Sequence, residues 1–335
     1  MKRQLPIPDF FEPARVGEIW KVDYAARAAQ AREWARRHNL EPAPVSSGRI
    51  SLLIVDAQNT FCIPGFELFV GGRSGRGAVD DNIRLCEFIY RNLANITDIT
   101  ATLDTHLSQQ IFHPVFFVDK DGNHPAPYTM IQAEQLQKEE WKFNPALAPR
   151  YGVTPEYGQR MTIHYAETLR QRGKYALTIW PYHAMLGGIG HALAPAVEEA
   201  VFFHSIARLS QPKFEIKGEQ PFTEHYSVIK PDVVKGPQGE TLGSHNDSFI
   251  KNLQTVDALV VAGQAKSHCV AWTVSDLLDD IRETDPALAR KVYLLEDCSS
   301  PVVVPGADFT QQADEAFESF AQAGMNVIQS TDILG

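Results

Sequence analysis

The sequence predicts an α/β protein built on a doubly wound, mostly parallel sheet with helices on both faces. Three observations carry that expectation: short apolar runs recur along the chain, several stop at a charged residue, and stretches with three- and four-residue apolar spacing lie between them. Apolar runs of this length fit strands buried on both sides. In chain order, residues 1–44 read as an extension with a Pro-rich start and a helical run from about Gly17 to His38, in which Trp20, Tyr24, Ala31 and Trp34 form a rough stripe. Ser51–Val55 is the first strand, ended by Asp56. Ile83, Cys86, Ile89, Tyr90 and Leu93 predict a helix over 79–93, followed by a strand over 99–103 that ends at Asp104. Between about 107 and 174 the alternation lapses into a Pro-, His- and Gln-bearing stretch, expected to be an insertion. It resumes with a strand at 175–179, a helix near 193–208 and a strand at 214–216. Three further strands, 258–262, 292–295 and 326–329, are separated by helical patterns at 270–281 and about 311–323.

Composition narrows the function classes. With 335 residues, 44% hydrophobic and 21% charged, the chain is globular and long enough for one large domain or two. The net charge of -10, from 41 acidic against 31 basic residues, provides no sequence-wide basic field for a phosphate backbone, so nucleic acid is not an expected partner. Four cysteines are too sparse for a disulfide scaffold, and the start MKRQLPIPDFFEP lacks the apolar core of a signal peptide. The expected location is therefore the cytoplasm. No apolar run approaches the roughly 18 residues of a membrane span.

In open α/β sheets ligands bind beyond the carboxyl ends of the strands. Those ends carry Asp56, Asp104, Lys217 and, a few residues past its strand, Cys269. Val270, Val274, Leu277, Leu278 and Ile281 begin a helical stripe at Cys269, so a helix start would favour its thiolate. The turn Gly263–His268 before it could offer backbone N–H groups to an oxyanion. A lone cysteine is also a common buried apolar residue, and spacing alone leaves both readings open. Two glycine-bearing strings lead nowhere: Gly188-Ile189-Gly190 lacks the third glycine of a dinucleotide fingerprint, and Gly71–Gly77 lacks the Gly-Lys-Ser/Thr of a P-loop.

Several separated segments resemble, in order, the nicotinamidase and isochorismatase-like cysteine hydrolases. Ile54-Val55-Asp56-Ala57-Gln58-Asn59-Thr60-Phe61 is similar to that family's first-strand motif. Phe214-Glu215-Ile216-Lys217-Gly218, followed by Tyr226-Ser227, is similar to its lysine segment, and Gly263-Gln264-Ala265-Lys266-Ser267-His268-Cys269-Val270 to its nucleophile turn. The resemblance implies the isochorismatase-like hydrolase fold, with Asp56 as general base, Lys217 orienting it and Cys269 as nucleophile. It further implies a cis peptide at Gln264-Ala265, oxyanion donors at the N–H groups of Ala265 and Cys269, and substrate contacts from Phe61 and Gln264. Lys266-Ser267 stands where the family usually has Thr-Asp, which leaves its substrate-side hydrogen bonds open.

Asp104-Thr105-His106 and Trp180-Pro181-Tyr182-His183 resemble the metal segments of the family's amidases, with His113 as a candidate fourth ligand. Carboxylate and imidazole donors suit a divalent metal, zinc first, with iron or manganese also in keeping. The resemblance implies hydrolysis of a small aromatic amide, nicotinamide first, to the acid and ammonia through a thioester. The alternatives are another small amide or ureido compound, a vinyl ether of the isochorismatase kind, or a non-catalytic assembly protein on the same fold. Every matched motif falls in one domain, 45–335, which carries the insertion at about 107–174. That insertion is expected to lid the pocket or to build the interface of a homo-oligomer.

Overall fold

The computed structural model describes residues 3–44 and 48–332; the expected boundary at 44/45 abuts residues 45–47, which lie outside the described residues. An N-terminal helix α1 (Tyr24–Arg37) precedes a wound series: β1 (Ile50–Val55), α2 (Gly77–Arg91), β2 (Asp98–Asp104), α3 (Pro155–Gln171), α4 (Pro195–Arg208) and β3 (Lys213–Lys217). The second half runs α5 (Ser248–Thr255), β4 (Ala258–Gly263), α6 (Ala271–Thr284), β5 (Val292–Leu295), α7 (Thr310–Gln322) and β6 (Asn326–Ile328). All six strands pair in parallel, in the order β6-β5-β4-β1-β2-β3. The chain winds outward from β1 to β3, then returns to β4 on the other side of β1. The topological switch point thus falls between β1 and β4.

Strand pleat sorts the side chains into two cores. Leu52 and Ile54 of β1 join α2, α4 and the N-terminal extension on one face. Leu53 and Val55 join α5, α6 and α7 on the other. The extension belongs to the first of these cores, through Leu5, Val16 and Ala31. Its helix starts at Tyr24 rather than near Gly17, because the Asp23 carboxylate accepts from the Ala26 N–H at 3.0 Å and caps it there.

A third core fills the stretch expected as an insertion. Phe112, Phe116, Met161, Tyr165 and Leu169 pack there with Phe222, Val233 and Leu242 from the segment after β3. The expected strand at 175–179 is corrected. Only Leu177–Thr178 is extended, and it pairs antiparallel with Met130–Ile131 inside this third unit, outside the main sheet. The place beside β2 is taken by Lys213–Lys217. Among the described residues no helix is long and apolar enough to cross a membrane.

Candidate active site

Strand register brings the reactive residues together. Asp104 and Lys217 are direct partners across β2 and β3, and Val55, just before Asp56, is partnered by Gly263 at the head of the turn toward Cys269. Asp56 takes a left-handed backbone, φ 44°, which aspartate tolerates better than most side chains. Its N–H donates to Thr102 Oγ1 at 3.0 Å, and the same hydroxyl donates back to Asp56 Oδ1. Gly263 is required where it stands: at φ 116°, a Cβ would lie 2.0 Å from the Val55 carbonyl oxygen. The Gln264–Ala265 peptide is cis, and the Ala265 N–H donates to no backbone carbonyl among the described residues.

Lys217 is the hub. Its Nζ lies 2.9 Å from Asp56 Oδ2, 2.8 Å from Asp104 Oδ1 and 2.9 Å from the His225 carbonyl, with Cys269 Sγ at 3.5 Å. Burial opposes its charge, yet Asp104, Asp56 and Cys269 hold the ammonium well above its usual range. Asp104 is buried too, and His106 and Lys217 keep its carboxyl well below the usual range. Burial pushes the Asp56 carboxyl up against the pull of Lys217. The Cys269 thiol is pushed well up, first by burial, with Lys217 opposing and Asp56 and Asp104 adding to the rise. Burial and the two carboxylates thus favour the protonated thiol, and Cys269 sits inside a wide turn, Lys266–Val270, just ahead of α6.

Asp104, His106 and His183 form a candidate metal centre, with one donor atom from each all within 4.8 Å of one another. His106 Nε2 lies 2.8 Å and His183 Nε2 3.6 Å from the same Asp104 oxygen. Each ring turns Nδ1 to a backbone carbonyl, Gly218 at 3.3 Å and Pro181 at 2.8 Å. A carbonyl only accepts, so Nδ1 carries the proton in both rings. Two Nε2 lone pairs and a carboxylate oxygen then converge, an arrangement that calls for a proton or a cation among them. A carboxylate with two imidazoles fits a divalent ion. His113 stands at the edge of the group, its ring 5.9 Å from that of His106 and 6.0 Å from that of His183. Both its ring nitrogens are buried with no hydrogen-bond partner among the described residues, and burial pushes its pKa down to about 2.

A narrow, mostly apolar cavity opens over Cys269, Asp104 and His183, walled by Phe61, Leu68, Val70, Trp180, Tyr226 and Ala265. Phe61 is among its walls. Gln264 is fully buried outside the cavity wall, and its Nε2 donates to Asp81 on α2 at 2.9 Å. Lys266 likewise turns away, to Glu296 at 3.1 Å and Asp314 at 2.7 Å. Sequence reasoning passed over two polar wall residues, Glu224, whose carboxyl burial pushes up to about 7, and His268. It also assigned no role to Gln58, which clamps Asp104 by donating to its carbonyl and accepting from its N–H, both at 2.8 Å. The first-strand motif places that glutamine two residues after Asp56, and this spacing was the available signal.

No protein-family model matches the chain, and no curated protein matches it either. Solved structures do. Yeast nicotinamidase bound to the inhibitor nicotinaldehyde is 17% identical, with a TM-score of 0.52 over 84% of this chain and 99% of that one. A second yeast nicotinamidase structure gives 17%, 0.51, 83% and 99%. A nicotinamidase/pyrazinamidase from Acinetobacter baumannii is 19% identical, with a TM-score of 0.49 over 86% and 99%. The likeness to the yeast structures is one of fold: the chain has their parallel-sheet α/β architecture.

Proposed function

We propose that the protein is a cysteine amidohydrolase that cleaves a small aromatic amide, nicotinamide first, to the acid and ammonia. The observation that carries this reading is the meeting of Lys217 with Asp56, Asp104 and Cys269 beneath an apolar cavity. The fold shared with the yeast nicotinamidases supports nicotinamide as the first substrate to test.

The narrow apolar cavity takes the ring, with Phe61 and Trp180 among its walls. As the carbonyl approaches, Asp56 accepts the thiol proton and the Cys269 sulfur attacks the carbonyl carbon. The carbonyl electron pair moves onto oxygen, which the N–H groups of Ala265 and Cys269 receive. When the tetrahedral species collapses, the C–N bond breaks and Asp56 returns the proton to the leaving nitrogen, giving ammonia and a thioester. Water then attacks the thioester with Asp56 again as base, releasing the acid and restoring the thiol. Lys217 stays protonated throughout and holds Asp56 in place. Asp104, His106 and His183 would hold a divalent ion, zinc by preference, which when bound supplies an electron-pair acceptor for a ring nitrogen. Assembly into a homo-oligomer belongs to the same reading, and the exposed Phe214 and Ile216 on the open edge strand β3 support it.

Ammonia release from a panel of aromatic amides and ureido compounds tests the reading, run before and after dialysis against a chelator. Cys269→Ala is expected to lower turnover at least about 1,000-fold, and the chelated enzyme is expected to lose activity that added zinc returns. Undiminished ammonia release from Cys269→Ala would rule the mechanism out.

A further inference from the structure

The turn that offers the Ala265 N–H is fastened on both sides of that peptide. Ser299 Oγ donates to the Gly263 carbonyl at 2.7 Å, the Gln264 N–H to the Val55 carbonyl at 2.8 Å, and the Lys266 N–H to the Ser300 carbonyl at 2.8 Å. A further tie comes from the side chain of Gln264. Gln264 Nε2 donates to Asp81 Oδ2 at 2.9 Å, across the space between the turn and α2. Gln264 Oε1 is buried with no partner, so the Asp81 contact is the amide's sole hydrogen bond among the described residues. Reversing the amide would set its oxygen against a carboxylate, which fixes the assignment.

Asp81 is itself only 2% exposed. Its other oxygen accepts from Arg84 Nη2 at 2.8 Å, and Arg84 donates onward to the Asp297 carbonyl. The Ser300 hydroxyl also faces the carboxyl, and Cys62 and Cys298 lie near it. A glutamine and an aspartate buried together are costly where two apolar side chains of like size would pack without any polar group to satisfy. Nothing in the reaction outlined above uses either side chain chemically. What the pair does geometrically is hold the Cα of Gln264, and with it the peptide whose N–H belongs to Ala265.

We propose that Asp81 is a positioning residue for the oxyanion site: through Gln264 it fixes the direction of the Ala265 N–H, and its loss weakens stabilisation of the tetrahedral species without blunting the nucleophile. The proposal rests on the hydrolase reading. It is tested with two reagents that load Cys269 differently. With pyridine-3-carbaldehyde the sulfur bonds to the carbonyl carbon, the carbonyl electron pair moves to oxygen, and the thiol proton is taken up by Asp56, leaving an oxyanion-bearing adduct. With iodoacetamide the thiol proton again passes to Asp56, the sulfur bonds to the methylene carbon and iodide leaves, so no oxyanion forms.

In Asp81→Leu the aldehyde is expected to inhibit about 10- to 100-fold more weakly and kcat to fall by a similar factor, the scale of a displaced oxyanion donor. Alkylation of Cys269 by iodoacetamide is expected to stay within about twofold of wild type, because the thiol and its base are untouched. Asp81→Asn, which keeps an acceptor for Gln264, is expected to recover most of the loss in aldehyde binding. Unchanged aldehyde inhibition in Asp81→Leu overturns the proposal, as does an equal fall in both reactions, which would mark a general disruption of the site. Should Asp81→Leu not fold, Gln264→Leu removes the same bond from the other side and carries the same comparison. Failure of the hydrolase reading is distinct from either result: wild type would then show no Cys269-dependent binding of the aldehyde.

Discussion

Burial raises the Asp81 carboxyl from its ordinary 3.8 to about 6, against the pull of Gln264, Ser300 and Arg84. The folded protein therefore holds this proton more tightly than the unfolded chain does. Its contribution to stability is fully present below pH 3.8 and is lost as pH rises through about 6. Asp81→Asn, which carries no charge at any pH, is expected to be more stable than wild type at pH 8 by about 1–3 kcal/mol, with the gap closing toward pH 4. Urea unfolding at the two values reads this, and a gap that is the same at both would show that the charge is not the cause. Asp56, Lys217 and Cys269 were legible in the sequence because each ends or follows an apolar run and falls within a recognisable motif. Asp81 and Glu224 were not. Asp81 meets Gln264 across 183 residues of chain, and Glu224 lies in a stretch with no apolar periodicity to mark what it faces.

The elements matter through register. One residue of slip between β2 and β3 would part Asp104 from Lys217, and the pleat would turn every second side chain to the wrong core. Close approach of β1 to the turn before Cys269 makes the same demand of Gly263, where an added Cβ meets the Val55 carbonyl oxygen at 2.0 Å and its nitrogen at 2.6 Å. Gly263→Ala is thus expected to destabilise the fold by about 3 kcal/mol or more and to lower ammonia release by displacing the turn. Urea unfolding together with turnover checks this; a variant as stable and active as wild type would mean that the turn relaxes freely. The strand expected at 175–179 shows where local pattern falls short. A short apolar run declares that it is extended and buried, but not which partner it pairs with, and here the partner is Met130–Ile131.

Across the whole molecule, the N-terminal extension behaves as part of the core. Phe10 meets Tyr90 of α2 and Phe203 of α4 at ring distances of 5.8 and 5.2 Å, and Arg27 pairs with Glu199 at 2.7 Å. Removing residues 1–44 would expose Tyr90 and Phe203, at about 1.5–3 kcal/mol for each large apolar side chain returned to water. The truncated chain is expected to melt at lower temperature and to bind a hydrophobic dye, while any folded fraction, counted by iodoacetamide labelling, keeps its turnover, since no described residue of the extension lines the cavity. A truncated chain with unchanged melting would show that the extension adds nothing to the core. By itself the sequence determined the α/β class, where along the chain the six strands of the main sheet lie and which residues stand at their ends, because hydrophobic period and strand-end chemistry are local properties of the chain. Only the tertiary structure decided that Gln264 Nε2 meets Asp81, that burial pushes the Cys269 thiol up, that Asp104, His106 and His183 converge, and that residues between 107 and 174 build a third core with residues after β3. Each of these depends on burial and on partners brought from distant sequence, and neither is written in any single stretch of it.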